Sequence, residues 1–138
     1  MKPALAVGST HSQNIVIDAT RTIAFMGEAL RVYSTPSMTL DVEQTCRQLL
    51  LPHHDAGEDS VGARVEIDHL GPTLLGQIVT IEAKVVELAL PRVTFEVEVK
   101  DELDTVGRAR HIRFVVDTAR QGERLAKKAA RLKASRGA

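Results

Sequence analysis

The sequence predicts an α+β fold in which a curled antiparallel sheet wraps around one long central helix, with a second helix at the C-terminal end. Three observations carry that prediction. Residues 35–50 have a capped start, helical spacing of apolar side chains and a proline stop. From residue 63 onward the apolar residues alternate, which is the period of a strand. The alternating segments follow one another through short turns, so neighbours pair antiparallel.

In chain order, residues 14–18 read as a short first strand. Residues 19–34 show no clear period, and a short helix or turn around Phe25–Gly27 fits them. Thr35-Pro36 is a good helix start, because Thr can cap free backbone N–H groups and Pro fits the first turn. The helix runs to about Leu50 and stops near Leu51-Pro52, since the residue before Pro disfavours helical geometry. At about 100° per residue, Met38, Val42, Thr45 and Leu49 form an apolar stripe, and Asp41, Gln44 and Gln48 form a polar one. Glu43 belongs to neither; it falls near Cys46 and Leu50 on a mostly apolar flank. A helix apolar on more than one side is usually deeply buried.

Residues 52–60 are a polar loop. Ala63, Val65, Ile67 and His69 then share one strand face, with Arg64, Glu66 and Asp68 on the other, and Gly71-Pro72 turns the chain. Residues 77–88 place Val79, Ile81, Ala83 and Val85 on one face. Val93, Phe95, Val97 and Val99 alternate with Thr94, Glu96, Glu98 and Lys100. The last strand, residues 106–116, carries Ile112, Phe114 and Val116 on one side. One early strand, one buried helix and four long strands make a hot-dog architecture. Residues 118–135 close the chain as a helix with a narrow stripe of Leu125, Ala129 and Leu132 on a basic background.

A chain of 138 residues, 43% hydrophobic and 26% charged, reads as a single globular domain over residues 1–138, with 118–138 as a basic helix or tail. Formal net charge is zero, which argues against nucleic acid as the main partner. The basic residues are uneven, however: residues 118–138 hold seven Lys/Arg and one acid. Charge alone would let that tail meet the phosphates of a nucleotide-like carrier, although a solvated face is the simpler reading. The single cysteine, Cys46, forms no intrachain disulfide and fits a reducing cytoplasm. No signal peptide and no bilayer-length apolar run is present, so no membrane role is expected.

Glu43 and His69 stand out because a carboxylate and an imidazole on apolar faces need partners. Each has an ordinary explanation by itself. Glu43 can pair with Arg47 one turn on, His69 can be a satisfied core histidine, and Thr35 can simply cap the helix. Together they lie on the helix or on the strand face opposite it, and their chemistry suits hydrolysis of an activated acyl group. A neutral imidazole takes a proton from water, a carboxylate attacks a carbonyl or acts as base, and the helix N-terminus offers N–H groups to an oxyanion. His53-His54-Asp55 is a weak metal motif, since adjacent loop residues rarely converge on one ion. Cys46 has no basic neighbour in sequence and reads as an inert core thiol, and His11 and His111 add little.

Residues 34–46 (STPSMTLDVEQTC) and 61–76 (VGARVEIDHLGPTLLG) resemble the A-T-P-x-M-x-x-x-M-E-x-A-A and V-G-x-x-V-x-V-x-H-x-A-P-T-P-x-G segments of the fluoroacetyl-CoA thioesterase-like family of hot-dog enzymes. Residues 94–102 and 106–117 resemble its last two strands, and the similarity extends from about residue 7 to 120. The resemblance implies an acyl-CoA thioesterase with Thr35, Glu43 and His69 at the catalytic positions. It implies Gly62, Arg113 and Pro36 at substrate-binding ones. It further implies a homodimer with active sites near the interface, and no metal or cofactor beyond the CoA of the substrate. Arg108 and Arg110 stand where the family has small residues, and fluoroacetyl selectivity is not carried over. The alternatives are a non-catalytic binder of acyl-CoA or another apolar ligand, and a hot-dog hydratase or dehydratase.

Overall fold

A sheet can bury one face only against something long and apolar, and here that element is helix α1 (Thr35–Leu50). The computed structural model describes Met1–Gly137, so Ala138 of the basic tail lies outside the described residues. Among the described residues, seven strands precede or follow the helix: β1 (Thr10–Val16), β2 (Thr22–Ile23), β3 (Val32–Tyr33), β4 (Glu58–His69), β5 (Ile78–Ala89), β6 (Arg92–Lys100) and β7 (Thr105–Asp117). Five of them form one antiparallel sheet in the order β1-β5-β6-β7-β4, and β2 pairs with β3. Helix α2 (Thr118–Gly137) continues directly from β7.

The core is the α1 stripe on the inner sheet face. Met38, Val42, Cys46 and Leu50 are fully buried, as are Val79, Ile81, Ala83 and Val85 of β5 and Val93, Phe95 and Val99 of β6. Each large member contributes about 1.5–3 kcal/mol through burial. The sheet is therefore the hot-dog wrap that the sequence pattern describes. β1 differs in extent, beginning at Thr10 and ending at Val16. The segment of residues 52–60 is shorter as a loop than expected, because β4 already starts at Glu58.

Three faces differ from the sequence reading. Asp41 is not on a polar stripe; it is 2% exposed, accepting hydrogen bonds from Tyr33 Oη (2.6 Å), Arg21 Nε (3.0 Å) and Arg21 Nη2 (3.3 Å). Gln48 is half-buried, meeting His11 Nε2 at 3.0 Å, which leaves Gln44 as the exposed member. Ala63 leaves the face it should share with Val65, because the β4–β7 register shifts between Gly62 and Arg64. On β7 the buried side is Gly107, His111 and Arg113, whereas Phe114 is exposed. The register explains it: His111 stands opposite inward-facing Phe95, and Ile112 opposite Thr94 on the other face.

Helix α2 has no buried residue among those described, and its Leu125 and Leu132 remain exposed. No helix among the described residues is long and apolar enough to cross a membrane.

Candidate active site

The helix start separates two roles that the sequence assigns to one residue. Ser34 is the cap, its Oγ accepting from the Ser37 N–H at 3.2 Å. Thr35 is the first helical residue, and its hydroxyl is not spent on capping. Thr35 Oγ1 instead hydrogen-bonds His69 Nδ1 at 2.7 Å. The other ring nitrogen, His69 Nε2, is buried and has no hydrogen-bond partner among the described residues. Tyr33 sits edge-on to the imidazole (6.3 Å between centroids, 71° between planes), and its own hydroxyl is held by Asp41. Burial pushes the His69 pKa below its ordinary value, opposed by the Gly71 backbone, so the neutral ring is favoured.

His69 pairs across the sheet with Gly107. A Cβ at Gly107 would lie 2.6 Å from Met38 Sδ, so the missing side chain leaves the room that Met38 fills between the helix start and the strand carrying His69's partner. An open groove of about 680 Å³ runs beside this contact, lined by Ile23, Phe25, Thr35, Pro36, His69 and Leu70. Pro36 therefore stands on the wall of the groove that holds Thr35 and His69.

Glu43, Gly62 and Arg113 form a second cluster. Glu43 lies eight residues past Thr35, roughly 12 Å along the helix. It is half-buried and makes no hydrogen bond or ion pair among the described residues; Arg47, its expected partner, binds Asp59 instead (3.0 and 2.7 Å). A Cβ at Gly62 would lie 3.2 Å from Glu43 Oε1, 3.3 Å from His111 Cε1 and 3.5 Å from Arg113 Nη1. The glycine thus opens a small space that a carboxylate, an imidazole and a guanidinium share. The structure brings Thr35 to His69 and Glu43 to Gly62 and Arg113, but records no hydrogen bond between Glu43 and His69.

Among the described residues Arg113 pairs with no acid. It is 6% exposed and donates to Ser60 Oγ (2.8 Å), to the Ser60 carbonyl (2.9 Å) and to His111 Nε2 (3.2 Å). Sequence reasoning passed over His111 and Ser60. The available signal was the alternation on β7, where His111 and Arg113 share the phase of Gly107 and Ala109 and so face the helix. His54 and Asp55 engage the chain start, at Met1 Sδ (3.1 Å) and the Met1 ammonium (2.7 Å). Burial raises the Cys46 thiol well above its usual range, which keeps it protonated.

His54, His69 and His111 are all shifted below the ordinary histidine value, chiefly by burial. Their folded forms take up protons less readily than the unfolded chain. The resulting stability is complete above the unfolded value of about 6.5 and is lost as pH falls below it. The urea midpoint is expected to be level between about pH 8 and 7 and to fall as the pH is lowered through about 6.5. A midpoint that stays level there would contradict the burial of these rings.

Comparison with known proteins bears on this geometry. Residues 17–119 match the family model described as fluoroacetyl-CoA-specific thioesterase. The chain is 25% identical over 123 residues to the fluoroacetyl-CoA thioesterase of Streptantibioticus cattleyicolor, covering 84% of this chain and 88% of that one. In fold it is similar to a hypothetical protein of Thermus thermophilus described as a thioesterase superfamily member (TM-score 0.88, 27% identity, 96% of this chain and 98% of that one). It also resembles in fold a point mutant of the fluoroacetyl-CoA-specific thioesterase, solved in complex with fluoroacetate and CoA (TM-score 0.77, 24% identity, 84% of this chain and 98% of that one). The curled sheet, the central helix and the matched residues 17–119 give one answer: this chain belongs to the fluoroacetyl-CoA-specific thioesterase family and is a hot-dog thioester hydrolase.

Proposed function

We propose that this chain hydrolyses a small acyl-CoA thioester with Thr35, Glu43 and His69. The observation that carries the reading is the 2.7 Å contact between Thr35 Oγ1 and His69 Nδ1 at the wall of an apolar groove, with His69 Nε2 buried and unpartnered beside it among the described residues. The hydroxyl fixes the ring, and a neutral imidazole can move a proton to or from water or the leaving thiolate. Glu43 supplies the carboxylate, as nucleophile or base, that acts at the thioester carbonyl. With no ion pair among the described residues, it is available for this. Gly62 gives the substrate room beside it, and Arg113 holds two N–H groups free for a developing oxyanion. Water is added across the C–S bond, giving the free acid and CoA thiol.

The S. cattleyicolor relative is named for fluoroacetyl-CoA, and a mutant of the fluoroacetyl-CoA-specific enzyme was solved with fluoroacetate and CoA; both support an acyl-CoA ligand here. The open groove, with Phe25 82% exposed, suits a small acyl group without singling out fluoroacetyl. A homodimer accords with β4, which among the described residues pairs only with β7 and leaves its other edge free. Pairing of two copies along β4 would bring Gly62 and His69 of both to one seam, near which the two half-sites would be completed. A cytoplasmic location goes with this reading, through the lone unpaired thiol.

Thiol release from short, branched and aromatic acyl-CoAs tests it, with Thr35→Val and His69→Ala alongside. We expect turnover of at least one short acyl-CoA, about tenfold to a hundredfold lower in Thr35→Val and lower still in His69→Ala. Absence of thiol release from every substrate, or turnover indifferent to His69→Ala, returns these residues to structural roles.

A further inference from the structure

Two polar side chains sit on the inner face of β7, where the neighbouring strands place valine and phenylalanine. Both are nearly closed to solvent: His111 is 0% exposed and Arg113 6%. His111 is held on three sides. Nδ1 lies 2.8 Å from the Arg64 carbonyl, an acceptor, so the ring hydrogen is on Nδ1. Nε2 then carries a lone pair, and it faces the Arg113 Nη1 donor at 3.2 Å. The ring stacks on Phe95 with centroids 6.2 Å apart and planes at 26°. The Arg64 carbonyl belongs to the register shift between Gly62 and Arg64, so the irregularity in β4 and the tautomer of His111 are one arrangement.

Arg113 has five N–H donors in a fixed fork. Ser60 takes two, through its hydroxyl and its carbonyl, and His111 takes a third. Ser60 grips one side of the fork and His111 the other. Without His111 the guanidinium could turn about its Ser60 contacts, and Nη1 would leave the space at Gly62 that Glu43 Oε1 also borders.

We propose that His111 is a positioning residue. As a neutral acceptor it locks Arg113 so that Nη1 addresses the acyl group beside Glu43. The inference rests on the reading of Arg113 as a substrate-facing cation. Both ring nitrogens of His111 are engaged, by Arg64 and by Arg113, so although its Cε1 borders the space at Gly62 its contribution is the orientation of another group, and one requiring a lone pair on Nε2. Glutamine can supply both functions, donating to Arg64 and accepting from Arg113, whereas leucine supplies neither.

The test compares His111→Leu, His111→Gln, Arg113→Ala and the His111→Leu/Arg113→Ala pair by kcat and KM on the best acyl-CoA, with circular dichroism as the check of fold. His111→Leu is expected to lower kcat about tenfold to a hundredfold with KM changed only a few-fold. His111→Gln should recover most of that loss, and the pair should be no worse than Arg113→Ala alone. Imidazole ¹⁵N shifts of the wild-type protein should show His111 protonated at Nδ1 and bare at Nε2, a readout that needs no folded variant. A hydrogen on Nε2 overturns the proposal, as does equal loss in His111→Gln and His111→Leu. If Arg113→Ala loses turnover while His111→Leu keeps it, the positioning role fails and the reading of Arg113 stands. If Arg113→Ala keeps turnover, that reading fails first.

Discussion

Glu43→Gln is expected to lower kcat for thioester hydrolysis by at least about a hundredfold while leaving the thermal midpoint nearly unchanged. The two halves of that expectation come from one fact. Among the described residues Glu43 forms no hydrogen bond and no ion pair, although it lies on the flank of a deeply packed helix. Its neighbours in the helix, Val42 and Cys46, are fully buried, so the half-buried carboxylate is kept next to the core without a structural partner. Glutamine preserves volume and helix propensity. What disappears is the carboxylate oxygen to which the proposed reaction assigns the attack or the proton transfer. Steady-state thiol release and a thermal melt on the same preparation decide it. A variant that turns over normally makes Glu43 a surface residue and leaves His69 alone with the chemistry.

Asp41→Ala should have the largest effect on stability, costing about 2–4 kcal/mol. The carboxylate accepts three hydrogen bonds, from the Tyr33 hydroxyl and from two nitrogens of Arg21, and is 2% exposed. Its removal strands the buried Tyr33 hydroxyl; Arg21 retains Asp18 at 2.9 Å and some access to water, which limits the loss. Tyr33 also props the imidazole of His69, so the variant should lose activity beyond what its lower stability explains. Urea unfolding measures the first effect, and kcat well below the unfolding transition the second. A change under about 0.5 kcal/mol, the range of ordinary surface substitutions, would show that Asp41 is solvated in solution.

The helix and the four long strands were legible because each keeps one dominant period, 3.6 or two, over most of its length. Met38, Val42 and Leu49 could be placed inside from spacing alone, as could Val79, Ile81, Ala83 and Val85. Asp41 was misplaced because a wheel sorts residues by polarity, whereas Arg21 and Tyr33 reach it from a segment with no periodicity of its own. As a cap, Thr35 is indistinguishable in sequence from Ser34 one residue earlier, and only backbone geometry gives the role to Ser34 and leaves the Thr35 hydroxyl to His69. The inner face of β7 was obscured by its outer one: Ile112, Phe114 and Val116 look like a core stripe, and register alone turns them outward. His69 and Glu43 were visible as anomalies, but the distance between their clusters was not, since sequence separation says nothing of where a helix crosses a strand.

The two glycines beneath α1 make the spacing between helix and sheet a shared mechanical coordinate. Gly107 faces Met38 near one end of the helix, and Gly62 faces Glu43 more than a turn further on. A helix of about four turns behaves as a stiff bar, so a shim under its first turn or under its middle shifts its seat on the sheet. A methyl at Gly107 would press on Met38, one turn from Thr35, and so on the seat of the helix start beside His69. Residues on the floor are therefore coupled through the helix, and substitutions there are expected to disturb the Thr35–His69 contact and the Glu43 space together. The groove wall is different. Phe25 and Leu70 are exposed, and neither supports the bar. Side chains at those positions can vary in size with the helix at constant height, so on the proposed reading a new acyl preference can arise there while Thr35, Glu43 and His69 keep their alignment.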